Sequence, residues 1–337
     1  MQTEKKLWLL ACVVFIACAA FSVFAGFSIA GMTKRQNAEP AAETDEAEDP
    51  FETADEETDD PLETLPEEPE TEEEPEETEP ESLPEPVAGN IHKLSEAELA
   101  AVETLCSGEV TTFHSAGDRD AENRPIYLNE LSADYTETFK NVRIYNGDTQ
   151  RSVSFVFILT AENGQNTEFI LNHLLQRGIK ATFFVDYYYA TQNQGLILRM
   201  IEEGHEIGSL GYSLPEGGIA YASLAEQQED AIQLQDAVKD LFSYDMKKYY
   251  FGYEAYSDQS LALMTQMGYT VTFFSVNYPD YNATEPIDTE GFLTEMKNEL
   301  HPNAIYCLHT VNSATVDMLP QLLDYITESG YTISLIQ

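Results

Sequence analysis

"NTEFILNHLLQRGIKATFFV", residues 166–185, contains a helix, its stop and a strand. Apolar residues recur at helical spacing from Asn166 to Arg177, Gly178 closes the helix, and "KATFFV" follows as a short run suited to a buried strand. The same unit repeats outward in both directions. Upstream lies the strand-like "SVSFVFIL" (152–159). Downstream, "LILRMIEE" is closed by Gly204, and "HEIGS" (205–209) leads through a loop to a long helix over 224–242 that starts with the capping box Ser223 and Glu226. Then come "YYFGY" (249–253), a helix over 258–267 ending at Gly268, and "YTVTFFSV" (269–276). A helix near 289–300, "AIYCLH" (304–309), a helix near 316–329 and "YTISLI" (331–336) complete the chain. Seven strands alternating with helices predict a parallel α/β fold. Short glycine-marked joints, with no GxGxxG or GKS/T phosphate loop, favour a distorted (β/α)7 barrel over an open dinucleotide-binding sheet. Functional residues then belong on the loops after the C-terminal strand ends.

Three segments precede this barrel, which occupies residues 151–337. Residues 1–36 read as a membrane anchor, because Leu7 to Met32 carry no ionisable side chain except two thiols. About 26 residues at 1.5 Å each exceed the roughly 30 Å of bilayer hydrocarbon. An uncleaved single-pass helix fits better than a signal peptide, whose apolar core is shorter, or a lipidation box at Cys18, where the apolar run continues instead of stopping. Lys5 and Lys6 before the span nearly balance Lys34 and Arg35 after it, so orientation rests on the short N-terminus staying inside. The C-terminal domain is then extracytoplasmic at the cell membrane. Residues 37–88 hold no Lys or Arg and supply roughly −24 of the net charge of −43. Stretches such as "ETEEEPEETEPESLPEP" bury too little apolar surface to offset ordering entropy, which predicts a disordered acidic linker extended by self-repulsion. Residues 89–150 form an extension: a helix opened by the capping box Ser95 and Glu98 and closed by Gly108, then "RPIYLNEL" (124–131) and "FKNVRIYNGD" (139–148) as short strands, with Asn146-Gly147 as a turn.

The acidic balance disfavours nucleic acid and anionic head groups as partners and suits a neutral glycan or a small ligand; the membrane is met only through the N-terminal helix. Cysteine usage adds little. Of four cysteines none forms a CxxC pair, which removes zinc-ribbon and thioredoxin readings. Cys106 and Cys307 are open to a disulfide, but two isolated buried thiols are the preferred reading.

"NTEFILNHLLQRGIKATFFV", "MIEEGHEIGSLGYS", "LALMTQMGYTVTFFSVN" and "AIYCLH", in this order and at these distances, make residues 152–337 similar to the polysaccharide deacetylase (NodB homology) family. The resemblance implies a barrel hydrolase that removes acetyl groups from chitin, peptidoglycan or related glycans, using zinc or another divalent metal with a base and an acid. In that family one Asp and two His hold the metal, the His pair lying four apart after the GHEIG strand. Those positions are Leu210 and Leu214 here, and neither side chain has a lone pair. The family's base motif falls on "FILTAENG": one alignment puts Leu159 at the base, and a shortened loop puts Glu162 and Asn163 at the acidic pair. In "YFGYE", Tyr250 stands for Arg and Glu254 for Gly; at "FFSVN" Asn277 stands for Asp. His309 keeps the position of the general acid, with Thr310 beside it in place of Asp. His205 corresponds to a structural histidine.

No metal site is assigned, since His92, His114, His173 and His301 show no paired ligand spacing. If the domain is active, His309 and Glu162 are the catalytic candidates. Tyrosines near strand ends, including Tyr187, Tyr188 and Tyr189, could stack on sugars, and Tyr212, Tyr253 and Tyr278 are the ligand-binding candidates. The sequence therefore points to a degenerate, membrane-anchored deacetylase-like domain that binds cell-wall glycan or an envelope protein. The alternative is a divergent carbohydrate deacetylase.

Overall fold

The computed structural model describes residues 82–147 and 151–337. The anchor at 1–36 and the acidic linker as far as residue 81 lie outside the described residues. Among the described residues no helix is long and apolar enough to cross a membrane. The linker was expected to stay unpacked to residue 88. Two of its last residues are instead docked: Leu83 packs on the domain's apolar cluster, and the Gln266 side chain donates to the Pro84 carbonyl at 2.7 Å.

The extension is helical where a strand was expected. Helix α1 (Glu96–Leu105) has the predicted capping box, with Ser95 and Glu98 each bonded to the other's backbone. After strand β1 (Thr111–Thr112), "RPIYLNEL" opens helix α2 (Ile126–Thr138). Pro125 sits at its N-cap with φ −60°, and Leu128, Leu131, Tyr135 and Phe139 form one inward stripe at spacings of three and four. An eight-residue window was too short to show that period. Strand β2 (Val142–Arg143) is the part of "FKNVRIYNGD" that is extended, and Asn146 is fully buried, donating to Ser154 and Ser334.

The repeating unit read from residues 166–185 then appears as β3 (Ser152–Leu159), α3 (Asn166–Arg177) and β4 (Thr182–Val185), with Gly178 in the left-handed conformation at φ 65°. "YYYATQ" is a short helix α4 (Tyr187–Gln192) capped by Asp186, followed by α5 (Gln194–Glu202). Next come β5 (Glu206–Ser209), α6 (Leu224–Phe242), β6 (Lys248–Tyr249), β7 (Ala255–Tyr256), α7 (Asp258–Gln266), β8 (Thr270–Thr272) and β9 (Val276–Asn277). Helix α8 (Thr289–Asn298), β10 (Ile305–His309), α9 (Ser313–Glu328) and β11 (Thr332–Ile333) complete the fold.

The main sheet runs β2, β8, β6, β5, β4, β3, β10, β9, with β11 also paired to β3. Every pairing in it is parallel. "YTVTFFSV" is therefore not one strand. Its halves β8 and β9 lie toward opposite ends of the sheet order yet are joined by Phe273–Ser275 alone, so the sheet curls until its ends nearly meet. The bend is set by packing, because Phe273 stacks on Phe113 at 4.4 Å and Phe274 meets it edge-on at 5.1 Å. β1 pairs with β7 beside the curled sheet, bringing residues 113–119 onto its C-terminal rim.

Side-chain alternation divides the core. Phe155, Phe157 and Leu159 of β3 join the cluster that holds Leu171, Leu174, Leu234 and Leu319 of the helices. Val156 and Ile158 face the other way, into the curl, with Phe184, Leu210, Tyr250, Ile305 and Cys307. Gly208 leaves the space that the Phe184 ring occupies, for a Cβ there would overlap it. Below this apolar layer Lys248, buried, donates to Glu206 at 2.6 Å, and Glu206 also accepts from Thr182.

Candidate functional site

The loop after β5 keeps a defined shape through one carboxylate on α6. Asp230, buried, accepts from the Tyr212 N–H at 2.8 Å, the Ser213 N–H at 2.8 Å and the Ser213 hydroxyl at 2.5 Å. Gly211 lies between them at φ 97°, where a Cβ would strike the Asp230 carboxylate. The backbone frame is thus built by groups other than the two side chains that the resemblance assigns to a metal. Leu210 is 2% exposed in the inner apolar layer. Leu214 lies across Gly252 on the neighbouring loop, where a Cβ would run into its terminal methyl.

The donor set does not fit a metal. Two of the three assigned ligands are hydrocarbon, and among the described residues no three His, Cys, Asp or Glu side chains are grouped to hold an ion.

Of the two alignments for the base, Leu159 is fully buried among the helices and faces away from the rim. Glu162 does lie after β3, but its carboxylate is engaged, accepting from the Thr167 N–H at 3.2 Å and the Tyr189 hydroxyl at 2.8 Å. It sits at the start of α3, where negative charge is favoured. Asn163 and Asn166 tie the same loop to the chain after β10 by donating to the Val311 carbonyl, and Asn166 also to that of Thr310. No hydrogen bond joins Glu162 to His309 among the described residues.

His309 ends β10 and is oriented by a group that sequence reasoning missed. Asp280, fully buried, meets the His309 Nδ1 at 2.9 Å with one oxygen; the other accepts from the His309 backbone N–H at 3.0 Å and the Thr315 hydroxyl at 2.7 Å. A carboxylate only accepts, so Nδ1 carries a proton and Nε2 is left for other partners on a side chain 20% exposed. The available signal was the single acid in "NYPDYN", 29 residues from the histidine it orients.

Glu254 also comes to the rim. Tyr250 donates to its Oε1 at 3.1 Å, and the Cys307 thiol meets the Tyr250 hydroxyl at 3.8 Å. Burial raises the Glu254 carboxyl above the usual carboxylate range, while the Tyr250 hydrogen bond and the nearby His309 pull it down. Glu254 lines a cleft of about 330 Å³ with Phe113, Ser115, Arg119, Asn277 and Glu299. Ser115 donates to Asn277 at 2.7 Å, and Arg119 pairs with Glu299.

The tyrosines differ in what they present. Tyr212 stacks on Tyr187 at 4.2 Å and Tyr278 on Phe292 at 3.9 Å, so each has one face covered. Tyr253 is 50% exposed, and Tyr188, Tyr221 and Tyr281 are more exposed still. Tyr281 stands edge-on to His309 with ring centres 6.0 Å apart. Cys307 is buried and Cys106 half-buried; both are free thiols.

Residues 150–272 match the family model for polysaccharide deacetylase. An uncharacterized 30.6 kDa protein of Geobacillus stearothermophilus is 30% identical over 190 residues, 56% of this chain and 71% of that one. The peptidoglycan-N-acetylmuramic acid deacetylase PdaA of Bacillus subtilis is 26% identical over 189 residues, again 56% and 71% of the two chains. The solved structure of PdaA, a family 4 carbohydrate esterase, superposes with TM-score 0.61 and 22% identity, covering 68% of this chain and 96% of PdaA. BA3943, a family 4 pseudoenzyme from Bacillus anthracis, superposes with TM-score 0.53 and 17% identity over 58% of this chain and 67% of its own; a mutant of BA3943 has restored enzymatic activity.

Proposed function

Because this chain belongs to the polysaccharide deacetylase family, we propose that it is a membrane-anchored, extracytoplasmic member without metal-dependent deacetylase activity, serving as a cell-wall glycan-binding or scaffold module. The observation that carries this reading is Leu210, a hydrocarbon side chain at a ligand position and buried in the inner apolar layer. Polarising an acetyl carbonyl and lowering the pKa of water require a cation held by lone pairs, which leucine does not supply. The exposed tyrosines of the rim favour binding, since an aromatic face packs on the C–H face of a sugar. The acidic linker would hold the domain away from the membrane and toward the wall.

Titration of the metal-free protein with zinc and cobalt tests the first part, with no stoichiometric uptake expected; one equivalent bound and lost on changing rim residues would overturn it. Calorimetry with N-acetylglucosamine oligomers and peptidoglycan fragments tests the second. Tyr253→Ala is expected to weaken binding by about fivefold, the value of one exposed aromatic contact.

One observation favours a second reading, a divergent carbohydrate deacetylase. His309 retains a buried carboxylate that fixes its ring, an arrangement suited to proton transfer.

A further inference from the structure

The charges of this domain are sorted by end of the sheet. Arg177, Arg199, Lys239 and Lys297 stand in the last turns of helices that lead back to the N-terminal ends of strands, and Lys180, Lys247 and Lys248 lie at or just before such ends. The loops of the opposite rim, residues 160–165, 210–223, 250–254, 278–288 and 310–312, hold no Lys or Arg. They do hold acids. Asp288 caps α8 and Glu162 sits at the start of α3, so helix ends account for both. Glu254 caps no helix, since Ser257 caps the one that follows it.

Glu254 is held in place against strain. Tyr253 and Glu254 are consecutive non-glycine residues in the left-handed region, at φ 58° and 53°, and such a pair persists where its surroundings enforce it. Phe113 does so, donating its N–H to the Glu254 carbonyl at 2.8 Å. A half-exposed aromatic ring is thereby the chain neighbour of a carboxyl that lines the cleft of about 330 Å³. Among the described residues that carboxyl accepts one hydrogen bond, from Tyr250. Arg119, the one Lys or Arg lining the cleft, is already paired with Glu299. Neither Glu254 nor Glu295, also in the lining, has a Lys or Arg partner among the described residues. The cleft is also particular to this chain. One wall, residues 113–119, belongs to the extension that β1 pins beside β7, upstream of everything that resembles the family.

We propose that this cleft binds the free amine of a de-N-acetylated amino sugar, so that the domain recognises glucosamine-containing glycan in preference to its N-acetylated parent. The proposal rests on the glycan-binding reading above and names the ligand. Tyr253 packs on the C–H face of the sugar, and Glu254 with Glu295 takes the ammonium. An ammonium brings three donors and a full charge, and hydrogen bonds between ionised groups are roughly twice as strong as neutral ones. The acetamide that it replaces is uncharged, offers one N–H and adds a methyl group to be housed. Burial acts in the same direction: it raises the Glu254 carboxyl, and a carboxylate short of solvent gains more from an approaching cation than an exposed one does. The cation-free rim lets a glycan with several ammonium groups approach without repulsion. The ligand is then the product of deacetylation, not its substrate.

Calorimetry on the full chain in detergent at low salt, with the glucosamine pentamer and the N-acetylglucosamine pentamer, tests this. The acidic linker also attracts a cationic oligomer, but equally in wild type and in rim variants, so the difference between them reads the cleft. Glu254→Gln is expected to weaken the glucosamine pentamer about tenfold and the acetylated pentamer less than about twofold, a split that a merely structural role does not produce. Glu295→Gln, at an exposed position, should weaken the charged pentamer alone, by about threefold. Tyr253→Ala should weaken both alike. Preference of wild type for the acetylated pentamer overturns the proposal and leaves the glycan-binding reading standing. So does unchanged affinity of both Gln variants for the glucosamine pentamer. Should Glu254→Gln lower the unfolding midpoint and weaken both pentamers equally, Glu295→Gln decides: a loss confined to the charged pentamer supports the proposal, and none overturns it. No binding of either pentamer by wild type removes the proposal and the reading together.

Discussion

Leu210 and Leu214 stand where the resemblance places two metal ligands, and histidine at both is not expected to rebuild a metal site. Leu210 lies in the layer with Ile158, Phe184, Tyr250 and Cys307, where an imidazole loses its hydration and gains no partner. The double variant Leu210→His/Leu214→His is expected to bind no stoichiometric zinc, because the base loop offers only Glu162, already committed to Thr167 and Tyr189. It should also unfold at lower urea, with a stability loss of about 2–4 kcal/mol from replacing a buried aliphatic side chain by a polar one. Tight zinc uptake by that variant in a metal assay would show that the rim supplies a third ligand after all. The leucines were visible in the sequence because the family frame around them is intact. Asp280 and Glu254 were not read for what they do. Asp280 meets His309 across two loops, and Glu254 acquires its place from a backbone conformation that no residue type in "YFGYE" announces except Gly252.

Among elements, the loop after β5 and helix α6 act as one unit. Asp230 replaces water for two N–H groups and a hydroxyl, and Gly211 provides the positive φ that lets it approach. Asp230→Ala is expected to cost about 3 kcal/mol, since hydrogen bonds to a buried charge are individually worth about 1.5–3 kcal/mol and the N–H groups partly recover water. Hydrogen exchange at Tyr212 and Ser213 would accelerate before the global transition, while exchange in β3 would follow global stability alone. Slow exchange at both amides in the variant would mean the loop holds its shape without the carboxylate. Elements with local signals were legible: both capping boxes, the glycine stop at Gly178, and the buried strand β3. Those set by distant partners were not. α2 was mistaken for a strand because its inward stripe spans 12 residues, from Leu128 to Phe139. "YTVTFFSV" read as one strand because its pattern does not record that Phe273 and Phe274 turn aside to pack on Phe113.

For the whole molecule, pH acts through opposing populations of groups. The net charge of −43 means that acid relieves self-repulsion, and Glu254, Asp186 and Asp258, each raised by burial, favour the folded state as pH falls. Two histidines oppose this. Burial lowers His301 and His205 to about 4, against an ordinary value of 6.5. A base whose folded pKa is depressed adds stability above its unfolded pKa, and loses it as pH falls from 6.5 toward 4, because the unfolded chain takes up the proton first. Each is worth on the order of 3 kcal/mol at neutral pH. His301 isolates the effect: its Nδ1 is bonded to the Pro302 carbonyl at 2.9 Å, its ring meets Tyr145 edge-on at 5.7 Å, and Arg119 and Arg124 add to the depression while Asp120 opposes it. His301→Phe keeps a ring in that position and cannot titrate. Urea unfolding of wild type and variant between pH 7 and pH 4 should give two curves whose difference shrinks steadily with acidification, the variant losing less stability by on the order of 3 kcal/mol. The absolute slope mixes histidines, carboxyls and overall charge, but the difference carries only the proton that His301 takes up on unfolding. Parallel curves would mean that His301 takes up its proton over the same pH range folded and unfolded, the cost of burial being offset by Asp120.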